Sequence, residues 1–241
     1  MAIRDRRRIY FVLAAAALLV WPIVVYGADE AVRPAKISLF STIAAGGIIG
    51  YVIIIISLVA AALIIENFMA IRRNKLIPDD LADNLAVKIR AKEYDEAQQM
   101  CIKNGSFLAD VIGAGLMQVG AMFGFFEMQN SMQEASERSI SKLYRKLDYL
   151  SFIAAISPIL GLLGTVTGMI RSFNQIALTE GTAKPSELAG GISEALITTC
   201  LGLIVAIPAM FFVTFFRNRI DSYVAEAETI VDKLMGGFRK K

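Results

Sequence analysis

Three long apolar windows, 43–65, 149–170 and 189–216, separate the polar segments of this chain. The first two contain no charged residue, and the third contains only Glu194, near one end. A helix of about 20 apolar residues matches a bilayer's hydrocarbon core of about 30 Å. The pattern therefore predicts an all-α, polytopic membrane protein with three core transmembrane helices.

The polar segment 66–148 carries a helical pattern of its own. Its leucine and isoleucine side chains recur at the spacing of one helix face after a helix start at Asp79, as in Leu81, Leu85 and Ile89. The run 111–126 is uncharged and rich in glycine, but it is too short for a span. We expect this run to pack inside a helical domain formed by 66–148.

The second and third spans are expected to continue beyond the membrane as helices. The basic segment 131–148 leads directly into the second window, which predicts one long helix bent near Pro158. The tail 217–241 resumes an amphipathic helical pattern after the third window.

Most basic residues near the windows lie on one side of them, with only Arg171 and Lys184 in the short segment 171–188. By the positive-inside rule these flanks lie in the cytoplasm. The segment 66–148 is then a cytoplasmic domain, 217–241 is a cytoplasmic helix, and 171–188 is an outer loop. The flanking cations are Arg72, Arg73, Lys75, Arg138, Lys142, Arg145, Lys146, Arg217 and Arg219.

A fourth apolar stretch, Ile9–Tyr26, follows four arginines at the start of the chain. Small residues at the usual spacing predict a signal peptide over 1–27, cut near Gly27 or Ala28. An uncleaved N-terminal helix is the alternative, since the stretch is long enough to span. In both cases 28–42 is an outer N-terminal segment.

Composition excludes several classes of function. The chain has no histidine and two cysteines, Cys101 in a polar segment and Cys200 inside an apolar window. Metal sites of the His/Cys kind, His-based triads and a disulfide are therefore not expected, and neither is a cofactor. The net charge of +3, with its cations beside apolar windows, does not suit nucleic acid. We expect ion movement rather than catalysis.

Small residues form one stripe along each of the last two spans. Steps of three and four place them on a single helix face, where they let backbones approach closely. We interpret the glycines as helix-packing positions. The stripes are Ser157, Gly161, Gly164, Gly168 and Ser172 in the second span, and Ala195, Thr199, Gly202 and Ala206 in the third.

Polar residues within the spans are the candidates for a pathway. Thr165, Thr198 and Thr199 either line a pore or simply bond back to a carbonyl one turn earlier. Glu194 lies about one turn inside the outer end of the third span. A charge there calls for a partner or for water, unless it sits among lipid headgroups.

Two segments resemble the signatures of the ExbB/TolQ/MotA proton-channel family. SPILGLLGTVTGMI (157–170) is similar to its second-span signature, and LAGGISEALITTCLGLIVAIPA (188–209) to its third. The three-span pattern is closest to ExbB and TolQ, since MotA-type proteins have four spans. Two positions depart from ExbB: Thr167, where ExbB commonly has tryptophan, and Thr198, where it often has alanine.

The resemblance implies a proton-channel subunit of an energy-transducing complex in the bacterial inner membrane, which uses the proton motive force for envelope transport or mechanical work. It implies a homopentamer around a dimer of a single-span partner of the ExbD/TolR kind, with a TonB/TolA-like protein as a further partner. Carried over by position, Thr165 and Thr199 are pore-facing and Glu194 is the third-span glutamate. The coupled process, the choice between proton and sodium, and the role of Thr198 stay open.

The alternative is a non-conducting scaffold that clamps a partner helix and signals its state. It needs the small stripes but neither the threonines nor Glu194. A conducting subunit also needs an ionisable group within its path, which the middle of these spans lacks. We therefore expect the partner helix to supply a carboxylate facing the threonines.

Overall fold

The computed structural model describes residues 46–119, 124–179 and 184–236. Within these ranges every regular element is a helix, which confirms the all-α prediction. The predicted signal peptide 1–27, the outer segment 28–42 and the first residues of the first window lie outside them. The helices are α1 (Gly47–Ala70), α2 (Arg73–Leu76), α3 (Asp79–Arg90), α4 (Tyr94–Asn104), α5 (Phe107–Leu116), α6 (Gly124–Leu178) and α7 (Pro185–Met235).

Three of these helices, α1, α6 and α7, are long and apolar enough to cross a membrane. The residues that the structure describes thus contain three spanning helices of a membrane protein, as the apolar windows predict. The 55 residues of α6 correspond to roughly 80 Å, so only part of this helix fits within a bilayer. Pro158 lies inside α6, and the helix continues through it.

The two longest helices form an antiparallel hairpin. α6 ends at Leu178 and α7 begins at Pro185, a residue well suited to a first helical position. Both helices therefore extend into the segment 171–188 that was expected to be an outer loop. We call this end of the hairpin the turn end.

The short helices α2 to α5 pack around the opposite end of the hairpin, which we call the domain end. The predicted face Leu81, Leu85 and Ile89 is buried there. Ser106 caps the start of helix α5, and its hydroxyl accepts a hydrogen bond from the Ala109 amide at 3.2 Å. Its side chains Val111, Ile112 and Leu116 are buried, so the first part of the run 111–126 packs into the domain core.

Near the domain end an aromatic contact joins α1 to α7, and charged contacts join α2 to α3 and α7. The Phe68 ring lies 4.9 Å from the ring of the fully buried Phe216, centroid to centroid. Just beyond, the Arg73 guanidinium bonds both Asp79 and Glu226 at 2.7–2.8 Å. The hydrogen bond from Arg73 holds the pKa of the Asp79 carboxyl below its usual range.

Candidate functional site

The small stripes of α6 and α7 face each other within one chain. A Cβ atom added to Gly161 would lie 3.0 Å from the Thr199 Cα, and one added to Gly202 would lie 2.6 Å from the Ser157 carbonyl oxygen. Nearer the turn end, a Cβ on Gly168 would lie 2.7 Å from the Gly191 carbonyl oxygen. The glycines therefore let two backbones touch along the hairpin.

Thr198 fills the space that Gly164 leaves open. Its side chain is 1% exposed, and a Cβ on Gly164 would overlap its hydroxyl and lie 3.0 Å from its Cγ2. The Thr198 hydroxyl donates to the Ala195 carbonyl, one turn earlier on its own helix, at 2.8 Å. Thr198 is therefore a packing residue whose hydroxyl is satisfied locally.

Thr199, the next residue, bonds across the hairpin instead. Its hydroxyl donates to the carbonyl oxygen of Gly161 on α6 at 3.1 Å. In an α-helix that same carbonyl accepts the backbone N–H of the residue four positions later, which is Thr165. The two candidate pore threonines thus lie at one level of the hairpin, joined through a single peptide group.

Thr165 and Thr199 are both half-buried, and an otherwise apolar surface surrounds them. The Thr165 hydroxyl donates to the Leu162 carbonyl at 2.7 Å. The exposed neighbours of the two threonines along their helix faces, at spacings of three and four residues or directly adjacent, are Leu162, Val166, Met169, Leu196, Cys200 and Leu203. This level of the hairpin offers hydroxyl groups, but no Asp, Glu, Lys or Arg lies in 149–170 or 195–216.

Glu194 lies nearer the turn end, roughly 7 Å along the axis of α7 from Thr199. Its Oε2 is 2.5 Å from the Nη1 of Arg171 on α6, and its side chain is 18% exposed. The expectation that this carboxylate needs a partner is met by Arg171. The sequence pattern did not predict this pair, because it placed Arg171 in a loop. The stripe of small residues, which continues to Ser172, was the signal that the helix extends further.

The buried thiol of Cys101 lies outside the spanning helices. Burial raises the pKa of the Cys101 thiol to about 11, with a further contribution from the nearby Asp110 carboxylate. Cys101 lies on α4, in the helical domain, away from the threonines. Within the residues that the structure describes, no group of three or more His, Cys, Asp or Glu side chains is placed to hold a metal ion.

The fold and this site define a helical membrane protein with three spans in its described ranges and a close-packed hairpin that carries threonines at mid-span. Residues 103–229 match the model of the MotA/TolQ/ExbB proton channel family. The chain belongs to this family, which confirms the resemblance seen in its second and third spans.

Individual relatives agree with this assignment. The chain is 34% identical over 181 residues to the ExbB-like 3 protein of Synechocystis sp., covering 72% of this chain and 82% of that protein. It is 48% identical over 77 residues to the biopolymer transport protein ExbB of Salmonella typhimurium, covering 32% and 31%. It is 34% identical over 111 residues to the Tol-Pal system protein TolQ of Pseudomonas aeruginosa, covering 46% and 48%. The chain is thus a proton-channel-type, energy-transducing membrane subunit.

Proposed function

We propose that this chain conducts protons across the bacterial inner membrane as part of a homopentamer around a single-span partner of the ExbD/TolR kind. The proton motive force would then drive envelope transport or mechanical work, with a TonB/TolA-like protein receiving the motion. The positive-inside rule places the domain end in the cytoplasm and the turn end outside.

The observation that carries this proposal is the shared level of Thr165 and Thr199. The Thr199 hydroxyl donates to the Gly161 carbonyl and the Thr165 hydroxyl to the adjacent Leu162 carbonyl, on a surface whose large exposed side chains are apolar. Along a path through a membrane, water or a titrating group would bind where hydroxyl groups interrupt an otherwise apolar lining. We therefore assign Thr165 and Thr199 to the lining of the pore.

The threonines need a partner because a hydroxyl does not titrate near neutral pH. A proton path through a membrane generally requires an ionisable group within it. This chain contributes no Asp, Glu, Lys or Arg between 195 and 216 or between 149 and 170. A carboxylate on the partner helix, facing the threonines, supplies the missing group and couples its protonation to movement of that helix.

The energy scale fits repeated small movements. One proton that crosses about 100 mV releases about 2.3 kcal/mol. A carboxylate that is neutralised at the threonine level loses its attraction to these hydroxyls, so the partner helix can turn relative to the surrounding ring. Each proton then contributes one small step.

Thr165→Val tests the pore assignment, with Thr167→Val as the matched control on the same helix. The Thr167 hydroxyl donates to the Gly164 carbonyl of its own helix at 3.0 Å, so its loss changes only local bonding. In liposomes that contain the chain with its partner, we expect Thr165→Val to abolish potential-driven proton uptake and Thr167→Val to preserve it. Native mass spectrometry should show an intact complex for both.

The scaffold alternative makes the opposite prediction. If Thr165→Val leaves proton uptake unchanged in an intact complex, the hydroxyl has no part in conduction and the scaffold is the better description. Loss of uptake together with loss of the complex would assign Thr165 to assembly rather than to the path.

A further inference from the structure

The Glu194 carboxylate is held from two sides at the turn end. Arg171 on α6 contacts Oε2 at 2.5 Å, and the Arg171 side chain is 67% exposed while that of Glu194 is only 18% exposed. The guanidinium thus reaches inward from the surface to a carboxylate that the helices mostly cover.

The start of α1 lies against the other carboxylate oxygen. Gly47 is the first residue of α1 and has φ of +59°, a left-handed conformation that favours glycine. A Cβ on Gly47 would overlap Oε1 of Glu194 and lie 3.1 Å from its Cδ. One side chain of α7 therefore contacts both of the other spanning helices.

The backbone that carries Glu194 is itself fixed by close packing. On one side of it, Gly191 and Gly168 bring α7 and α6 into backbone contact. On the other side, Thr198 fills the space opposite Gly164. These two close contacts oppose any rotation of α7 that would move the Glu194 carboxylate away from Arg171.

We propose that Arg171 is a positioning residue that pins Glu194 between α6 and α1, and that this ion pair clamps the outer ends of the three spans without itself carrying protons. The inference rests on the proposed function, because it assigns the proton-binding step to another carboxylate. The geometry that supports this role is a carboxylate in contact with Arg171 through one oxygen and with the start of α1 through the other.

A clamp and a proton relay predict different effects on proton uptake when Glu194→Gln and Arg171→Gln are combined in one protein. Glu194→Gln keeps the shape of the side chain and an oxygen that can accept from Arg171. Arg171→Gln instead leaves a largely covered carboxylate unpaired, which is costly. For a clamp, Arg171→Gln is the damaging change, and adding Glu194→Gln should repair it.

The test measures potential-driven proton uptake with a pH-sensitive dye in liposomes that contain the chain and its partner. We expect Glu194→Gln to keep at least half of the parental uptake, Arg171→Gln to lose most of it, and the double variant to recover it. Loss of uptake in both Glu194→Gln and the double variant would make Glu194 a relay and overturn the clamp.

Thermal unfolding in detergent, without the partner, tests the clamp independently of conduction. We expect Arg171→Gln to lower Tm by about 3 °C or more and the double variant to regain most of that shift. Equal Tm values for all four proteins would overturn the clamp. A parental complex that takes up no protons would refute the proposed function, and the Tm comparison would still decide the clamp.

Gly47→Ala tests the contact with α1, with Gly105→Ala as its control. Gly105 has the same φ of +59° but no neighbour within 4 Å of an added Cβ, so it reports the backbone strain alone. We expect Gly47→Ala to lower Tm further than Gly105→Ala does and to reduce proton uptake. A Tm shift no larger than that of Gly105→Ala would remove α1 from the clamp.

Discussion

Gly202→Ala should separate α6 from α7 and break the bond that defines the threonine level. The added Cβ would lie 2.6 Å from the Ser157 carbonyl oxygen and 3.3 Å from the Gly161 Cα, and both of these are backbone atoms that cannot swing aside. Relieving the contact with oxygen requires a local separation of roughly 0.6 Å or more, since a carbon atom and a carbonyl oxygen in contact lie about 3.3 Å apart or more.

That separation has a second consequence one turn away. The Thr199 hydroxyl lies 3.1 Å from the Gly161 oxygen, and an added 0.6 Å or so takes it beyond hydrogen-bonding distance. Overpacking of this kind costs about 1–3 kcal/mol, and the lost hydrogen bond costs about 1 kcal/mol. We therefore expect a total loss of about 2–4 kcal/mol.

Thermal unfolding in detergent measures this loss, with Gly190→Ala as the control. Gly190 lies on the same helix, and an added Cβ there meets nothing within 4 Å in this chain. A loss of about 2–4 kcal/mol should lower Tm by roughly 5–10 °C, whereas Gly190→Ala should leave Tm nearly unchanged. If Gly202→Ala unfolds within a degree of the parent, the two helices do not touch at Ser157 and the hairpin packing is wrong.

Two further predictions concern the helical domain. Burial protects the Cys101 thiol, so topology is better read from Ile102→Cys in a Cys101→Ser background, because Ile102 is exposed. A membrane-impermeant maleimide should label this cysteine only after permeabilisation, and labelling in intact cells would place the domain outside. The hydrogen bond from Arg73 lowers the pKa of Asp79 in the folded state below its value of about 3.9 in the unfolded chain. The pair therefore stabilises the domain fully at pH values above the unfolded pKa. This stabilisation is lost as the pH falls through the lower, folded pKa. The Tm difference between parent and Asp79→Asn should therefore be constant near neutral pH and vanish in strong acid; a difference that persists there would have another cause.

The three spans and the helical domain could be predicted because hydrophobic length and periodicity are local properties. Leu81, Leu85 and Ile89 share a face by their spacing alone, and the structure buries that face. The run 111–126 was excluded as a span by its length, and its first part packs into the domain core.

The partners of the small residues could not be predicted in the same way. The stripe of Gly161 and Gly164 fits a neighbouring subunit as well as it fits the same chain, since close packing needs only small residues on both faces. The structure places the stripe against α7, so we expect Gly164→Leu to disturb assembly through the hairpin, because the leucine would collide with Thr198. The side chains of Thr198 and Thr199 also point about 100° apart on the helix, because the two residues are adjacent. Their spacing alone does not tell which of the two is buried.

The Arg171–Glu194 pair depends on where a helix ends, which is the least certain feature of a sequence pattern. The two residues are 23 positions apart, on either side of the turn. With the outer loop expected at 171–188, Arg171 appeared to be a loop residue. The helix continues to Leu178 instead, and this extension places the guanidinium beside α7.

Potential-driven proton uptake by the chain alone and by the chain with its single-span partner tests the shared pathway most directly. We expect liposomes with the chain alone to take up few protons, because the threonine level has no titratable carboxylate. Adding the partner should restore uptake, and changing the partner's membrane carboxylate to its amide should abolish uptake while the complex stays intact. Strong uptake by the chain alone would contradict a pathway that the two proteins share.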